Sequence, residues 1–254
     1  MSKDILYLGD TLLDQAASYL AGVMTHFDIS FDYIASEQKF DDALFDKDYK
    51  AIILSDYPAA NFTKEQLATL ASKVNKGLGL LMIGGWESYY GLGGNWHETI
   101  LTDVLPVEIL KQDDRRNNWN PCVVGKVCDH AIIEGLPLNA DMPIVGGFNE
   151  FVAKADSTTI LNVQCYQADP QGEAMNFILR KVYPLMVVGN YGSGNVASFA
   201  SDVAPHWVGG LVDWGKDRIT SCATGAVEIE VGGYYAKMFA NLVEWTANKL
   251  KTNS

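Results

Sequence analysis

The sequence predicts an α/β fold: a doubly wound, mostly parallel sheet with helices on both faces and a β-rich elaboration in the second half. Apolar runs recur at Ile5-Leu6-Tyr7-Leu8, Ala51-Ile52-Ile53-Leu54 and Gly79-Leu80-Leu81-Met82-Ile83, and runs without polar alternation suit strands covered on both faces. Segments with helical spacing separate them, as parallel strands require of their crossovers. After Gly91 the helical period is lost and strand-like pieces dominate.

The first strand ends at Gly9-Asp10-Thr11, a loop in which Thr or Asp is expected to cap the following helix; Leu12, Leu13, Ala16, Ala17, Leu20, Val23 and Met24 have helical spacing. A second strand is expected over 29–34, where Ile, Phe and Tyr alternate with polar residues, and a third over 51–56. Residues 63–76 form an amphipathic helix through Leu67, Leu70, Ala71 and Val74, with Thr63 and Gln66 in capping-box spacing and Gly77 as its stop. Gly79 opens the fourth strand. Beyond a polar stretch at 111–120, strands are expected at 123–127, 159–163, 175–179, 184–188 and 194–201, with a hairpin turn at Tyr191-Gly192-Ser193-Gly194-Asn195. A helix over 233–250 closes the chain with Tyr235, Met238, Phe239, Leu242, Val243 and Thr246 on one side. With no repeat, linker or low-complexity tract, residues 1–254 read as one domain.

A chain of 254 residues that is 48% hydrophobic buries a sizeable core, which excludes a disordered or disulfide-stapled protein. Its 31 acidic and 19 basic side chains leave a net charge of −12, which repels phosphate backbones and anionic membranes, so neither nucleic acid nor membrane is an expected partner. Ten of the acids fall in the first fifty residues and read as a solvated face. No apolar stretch approaches the roughly 20 residues of a membrane-spanning helix, and residues 1–14 carry no leader pattern. The four Cys (Cys122, Cys128, Cys165, Cys222) form no C-x-x-C pair and fit free thiols in a reducing cytoplasm, the expected location.

Ligands of open α/β sheets bind beyond the carboxyl ends of the strands, which directs attention to the loops at 9–11, 55–61 and 84–94. In the last, Gly84 and Gly85 let backbone amides approach a ligand, while Trp86 and Trp96 offer stacking surfaces and Glu87 and Ser88 offer polar groups. The same features also suit a relaxed turn packed by aromatics. Ser88 lacks the glycines of a G-x-S-x-G elbow, the four His form no metal-binding pair, and no phosphate loop is present, so no cofactor or metal is expected. Ser201-Asp202-Val203-Ala204-Pro205-His206-Trp207 brings a carboxylate, an imidazole and an indole together at a strand's end. Asp202 capping a turn that Pro205 stiffens accounts for it equally well.

Four segments carry a family resemblance: Leu80-Leu81-Met82-Ile83-Gly84-Gly85-Trp86-Glu87-Ser88-Tyr89-Tyr90-Gly91 followed by Trp96 to Thr99; Val104-Leu105-Pro106-Val107; Asp129-His130-Ala131-Ile132-Ile133-Glu134-Gly135-Leu136-Pro137; and Ser201 to Trp207. Together they resemble the putative glutamine amidotransferase domain of the class I glutamine amidotransferase-like superfamily, related to trehalose-utilisation (ThuA-like) proteins. The resemblance implies a flavodoxin-like sheet. Amidotransferases of this class place Cys in a G-x-C-x-G elbow and His and Glu in an H-P-E context; here the elbow reads Gly84-Gly85-Trp86-Glu87-Ser88 and the downstream segment Pro205-His206-Trp207. Glutamine hydrolysis needs a thiolate and an orienting base, so the glutaminase reaction is expected to be absent.

Two functions remain open: chemistry on, or recognition of, a small carbohydrate-derived molecule, with Asp202, His206 and Ser88 as catalytic residues and Gly84, Gly85, Trp86, Glu87 and Trp96 as ligand-binding residues; or a non-catalytic binding or assembly module on the same scaffold. The aromatic content is compatible with a homo-oligomer.

Overall fold

The computed structural model describes residues 3–250; Met1 and Ser2, which the leader reading includes, and residues 251–254 lie outside them. In chain order the elements are β1 (Ile5–Gly9), α1 (Ser18–His26), β2 (Phe31–Ile34), β3 (Ala51–Ser55), α2 (Lys64–Asn75), β4 (Gly79–Ile83), α3 (Leu101–Val104), β5 (Val107–Ile109), β6 (Arg115–Lys126), β7 (Ile144–Asn149), β8 (Phe151–Ala153), β9 (Thr158–Gln171), β10 (Ala174–Tyr191), β11 (Gly194–Phe199), α4 (Pro205–Val208), β12 (Arg218–Ser221), β13 (Ile229–Gly232) and α5 (Gly233–Thr246). Nine strands form one mixed sheet in the order β2-β1-β3-β4-β11-β10-β9-β6-β7, so the fold is α/β.

The five strands β2, β1, β3, β4 and β11 pair in parallel, from Ile5 opposite Phe31 at one side to Val196 opposite Leu80 at the other. β1, β3 and β4 are buried along their whole length, as their unbroken apolar runs require. β11 completes the parallel set only after the chain has built the antiparallel half, β10-β9-β6-β7, beside it. α2 begins with the expected capping box: the Thr63 hydroxyl accepts from the Gln66 amide and the Gln66 side chain accepts from the Thr63 amide. α5 packs against α1 and over β4 and β11, with Phe239 edge-on to Phe199 at 5.1 Å between ring centroids.

Several sequence expectations change. The first helix starts at Ser18 without a side-chain cap; Asp10 and Thr11 take left-handed backbone (φ 51° and 64°) and make a tight strand exit rather than a cap. Residues 115–120 of the polar stretch open β6, because their side chains lie on a largely exposed part of the sheet where strand pairing needs no apolar run. The pieces at 175–179 and 184–188 are one strand, β10, whose register shifts near Arg180 and Leu185 break the period-two pattern. The turn between β10 and β11 is as expected, with Gly192 at φ 59°. The closing helix ends at Thr246, not 250.

Candidate active site

Parallel strands end at one edge, and that edge gathers three aspartates. Asp10 follows β1, Asp56 follows β3, and Asp202 lies three residues beyond β11. Asp10 and Asp56 both hold left-handed backbone (φ 51° and 45°), a conformation that Asp tolerates better than most residues. The Tyr7 hydroxyl donates to Asp10, as does the Ser55 hydroxyl at 2.9 Å. Asp56 Oδ1 accepts the Glu87 amide at 2.7 Å. Asp202 closes a local turn, its Oδ1 accepting the amides of Val203 (2.6 Å) and Ala204 (3.1 Å).

The loop that crosses this edge after β4 is tied down from beneath. Asn149, at the end of β7, accepts from the Gly85 amide (2.9 Å) and donates to the Gly85 carbonyl (3.1 Å) and to Asp114 Oδ1 (2.9 Å). Asp114 in turn accepts the amides of Tyr90 (2.9 Å) and Gly91 (3.0 Å). The Gly84 amide bonds the carbonyls of Phe199 and Ser201, and the amides of Leu92 and Gly93 bond the Trp86 carbonyl. Gly85 is required by space as well: at φ 155° a Cβ there would fall 2.1 Å from Asp56 Oδ1. The amides of Gly84, Gly85, Trp86, Glu87, Tyr90, Gly91, Leu92 and Gly93 are thus spent on Asn149, Asp114, Asp56 and backbone carbonyls, where the sequence suggested a ligand.

Above the loop lies an open cleft of about 520 Å³ lined by Asp56, Trp86, Glu87, Leu92, Gly93, Asp202 and His206. Trp86 stands at its rim, with the Arg115 guanidinium 4.9 Å from its ring centroid and the His206 ring centroid at 6.1 Å. Burial disfavours the charged form of each carboxyl, and each raises its neighbours' proton affinity further. Burial, the charge of Asp202 and the nearby Glu87 carboxylate push Asp56 up to about 8, against the partial relief of the Glu87 and Trp86 amides. Asp202 is raised by burial to about 6, the amides of Ala204 and Val203 and the proximity of His206 holding it lower. Asp10, buried beneath both, lies well above the usual carboxylate range, through burial first and then the charges of Asp202 and Asp56. Glu87 is raised by burial and by Glu37. Among the described residues, no group of three or more His, Cys, Asp or Glu is arranged to hold a metal ion.

Of the residues singled out in the sequence, Asp202, His206, Trp86 and Glu87 meet at the cleft. Gly84 and Gly85 lie buried under it. Ser88 points inward: its hydroxyl donates to the Ile83 carbonyl at 2.5 Å and accepts the Asp56 amide at 3.1 Å, so it positions Asp56 instead of facing the cleft. Trp96, expected at the ligand, is fully buried; its indole N–H donates to the Tyr57 carbonyl (3.1 Å) and its ring packs edge-on to Phe62. Asp10 and Asp56 were not singled out, although both sit in strand-end loops that the parallel-sheet rule marks.

Residues 6–220 match the family described as "Putative glutamine amidotransferase". No curated protein matches the chain. Among solved structures, the chain is similar to the cytoplasmic protein STM3548 from Salmonella typhimurium (24% identity, 96% of this chain and 98% of that one, TM-score 0.71). It is also similar to the cytoplasmic protein STM1381 from Salmonella typhimurium LT2 (25% identity, 98% and 99% coverage, TM-score 0.71). A more distant likeness is the mmIFT52 N-terminal domain (12% identity, 95% and 96% coverage, TM-score 0.53), which extends to the fold alone. Among the described residues no helix is long and apolar enough to cross a membrane. With the family model spanning most of its length, the chain belongs to the "Putative glutamine amidotransferase" family.

Proposed function

We propose that this protein binds a small hydroxylated, carbohydrate-derived molecule in the cleft and moves protons on it, without hydrolysing glutamine. The observation that carries the reading is the meeting of Asp56 and Asp202 at one cleft in unlike surroundings: burial and the charge of Asp202 push Asp56 up to about 8, while burial raises Asp202 less, to about 6, because the amides of Ala204 and Val203 favour its charged form, so Asp56 is the better proton holder of the two. Paired titratable groups driven apart in this way divide acid and base roles. Asp202 takes a proton from a substrate O–H or C–H, Asp56 delivers one to an oxygen, and exchange with water resets both. Trp86, braced by Arg115, supplies a flat surface for a sugar ring.

Two further observations support the absence of glutaminase chemistry and a degenerate amidotransferase site. The segment after β4, where the family resemblance places the nucleophile, reads Gly84-Gly85-Trp86, and none of the four Cys lines the cleft. The amides of Gly85, Glu87, Tyr90 and Gly91 in this loop are already bonded to side chains and so are not free to cradle an oxyanion. We further infer that the parallel strand order β2-β1-β3-β4-β11 is a flavodoxin-like, doubly wound core, since right-handed crossovers leaving β1 and β3 in opposite directions place α1 and α2 on opposite faces. The location we infer is the cytoplasm.

A thermal-shift screen of sugars, sugar acids and amino acids tests the reading, because a ligand at 100 times its Kd stabilises by about 2.7 kcal/mol. A sugar-class hit that is lost in Trp86→Ala and Asp202→Asn supports it. No hit at millimolar ligand, or ammonia release from glutamine that survives replacement of every Cys, overturns it.

A further inference from the structure

One face of the antiparallel half carries two thiols and an ammonium in a row across three strands. Register sets Cys122 of β6 directly opposite Cys165 of β9, and Cys165 directly opposite Lys181 of β10. Directly opposite residues share a face, so the three side chains stand side by side. The Cys122 thiol donates to the Cys165 sulfur at 3.1 Å. Directly opposed residues of an antiparallel pair have Cα atoms about 4.5 or 5.5 Å apart, inside the range of about 4.4–6.8 Å that a disulfide spans, so side-chain rotation alone brings the sulfurs to about 2.05 Å. The other two cysteines bond carbonyl oxygens, Cys128 that of Thr159 and Cys222 that of Ala226, both at 3.4 Å. Access separates the paired sulfurs. Cys165 lines an open cavity of about 470 Å³, whereas Cys122 is 1% exposed and lies outside that lining. Of the cavity's cations, Arg116 is paired with Glu150 and Arg180 bonds Gln167, while Lys181 stands opposite Cys165. The hydrogen bond from Cys122 and the charge of Lys181 both favour the Cys165 thiolate, against its burial.

We propose that Cys165 and Cys122 form a reversible dithiol–disulfide centre oxidised by a small hydroperoxide, with Cys165 reacting first and Cys122 resolving it. The Cys165 thiolate attacks one peroxide oxygen and the O–O bond breaks, which leaves a sulfenic acid on Cys165 and releases the other oxygen, with the thiol's proton, as water or an alcohol. The Cys122 sulfur then attacks the Cys165 sulfur from beneath; the S–O bond breaks and the hydroxyl leaves as water with the Cys122 proton. The two thiols have lost two electrons and two protons, and the hydroperoxide has been reduced by the same amount. Two equivalents of a small thiol reverse the change. The first attacks the Cys165 sulfur and frees Cys122, and the second displaces the first as its disulfide and frees Cys165. In a reducing compartment the pair rests as the free thiols that the structure holds. The centre is separate from the cleft, whose walls carry no cysteine.

Hydrogen peroxide added to the reduced full chain, followed by thiol titration and peptide mapping, tests the assignment. Wild type is expected to fall from four titratable thiols to two, to yield a peptide linked between Cys122 and Cys165 of the same chain, and to regain all four thiols with dithiothreitol. Dimedone present during oxidation is expected to mark Cys165 and not Cys122, and Cys122→Ala to accumulate that adduct while losing the disulfide. The linked peptide and the wild-type adduct need no variant, so a misfolded Cys122→Ala leaves the test intact. Oxidation of Cys222 or Cys128 without the 122–165 link overturns the proposal, as does an adduct found on Cys122 in preference to Cys165. A link that forms with oxidised glutathione but not with hydrogen peroxide overturns the hydroperoxide as the oxidant.

Discussion

Replacing Asp56 by Asn should stabilise the protein, and increasingly so as pH rises. Folded Asp56 holds its proton up to about 8, while the unfolded residue releases it near its ordinary 3.8. Below pH about 4 both states carry the proton, so wild type and variant match. Between there and about 8 only the unfolded chain ionises, which favours unfolding, and wild-type stability falls along that window. At pH 7 about three pKa units of difference have accumulated, a ceiling of about 4 kcal/mol at 1.36 kcal/mol per unit. Asp56 keeps one side open to the cleft and its titration is shared with Asp202 and Asp10, so about half the ceiling, 2 kcal/mol, is the expected gain. In a chain of this size that raises Tm by about 4–8 °C. Asn retains the oxygen that accepts the Glu87 amide, so the cleft geometry survives. Differential scanning fluorimetry of both proteins from pH 4 to 9 is the assay. A Tm offset independent of pH, or one that shrinks as pH rises, refutes the reasoning.

Gly85→Ala drives a methyl into the Asp56 carboxyl and imposes a backbone angle that L-residues rarely adopt, so it should cost about 3 kcal/mol in denaturant unfolding; a change under about 0.5 kcal/mol contradicts the packing described for the loop. Asn149→Ala strips hydrogen bonds from both backbone groups of Gly85 and from Asp114, and is expected to cost about 3–5 kcal/mol and to speed amide exchange across residues 84–94; unchanged exchange there argues against the clamp. Cys122 and Cys165 lie opposite each other with sulfurs 3.1 Å apart; the hydrogen bond from Cys122 and the charge of Lys181 hold the Cys165 thiol low, while Cys122 is raised. Peptide mapping should find Cys165 alkylated before Cys122, and Cys122→Ala, which removes the donor, should slow it; equal rates contradict this.

The parallel half was legible because its strands are covered on both faces and so are written as unbroken apolar runs, and because α2 carries its own start signal in Thr63 and Gln66. The antiparallel half was harder. β6 begins in Arg115-Arg116-Asn117-Asn118, on a surface where pairing is set by the neighbouring strands, and β10 changes phase twice. β7 and β8 lie where Gly146 and Gly147 interrupt any pattern; a Cβ at Gly147 would meet the Trp207 ring at 2.6 Å, a long-range contact that local periodicity does not encode.

At the site, Asp202, His206, Trp86 and Glu87 announced themselves by unusual local composition. Asp56 did not, because its place at the cleft comes from a tertiary convergence of three strand ends and from burial, neither of which is written next to it. Trp96 and Ser88 misled for the converse reason: a loop position suggests access, but Trp96 turns its ring into the core and the Ser88 hydroxyl is held by Ile83 and Asp56.

The separation of Asp56 from Asp202 is the centre of the functional reading, and carboxyl-carbon NMR titration measures it directly, with Asp56→Asn and Asp202→Asn assigning the signals. The account predicts two coupled transitions: the one near 8 disappears in the first variant, and in the second the one near 6 disappears while that of Asp56 moves down from about 8, because the charge of Asp202 is gone. Cleft aspartates that both titrate near the ordinary value of about 4 would leave no acid at neutral pH and would contradict it.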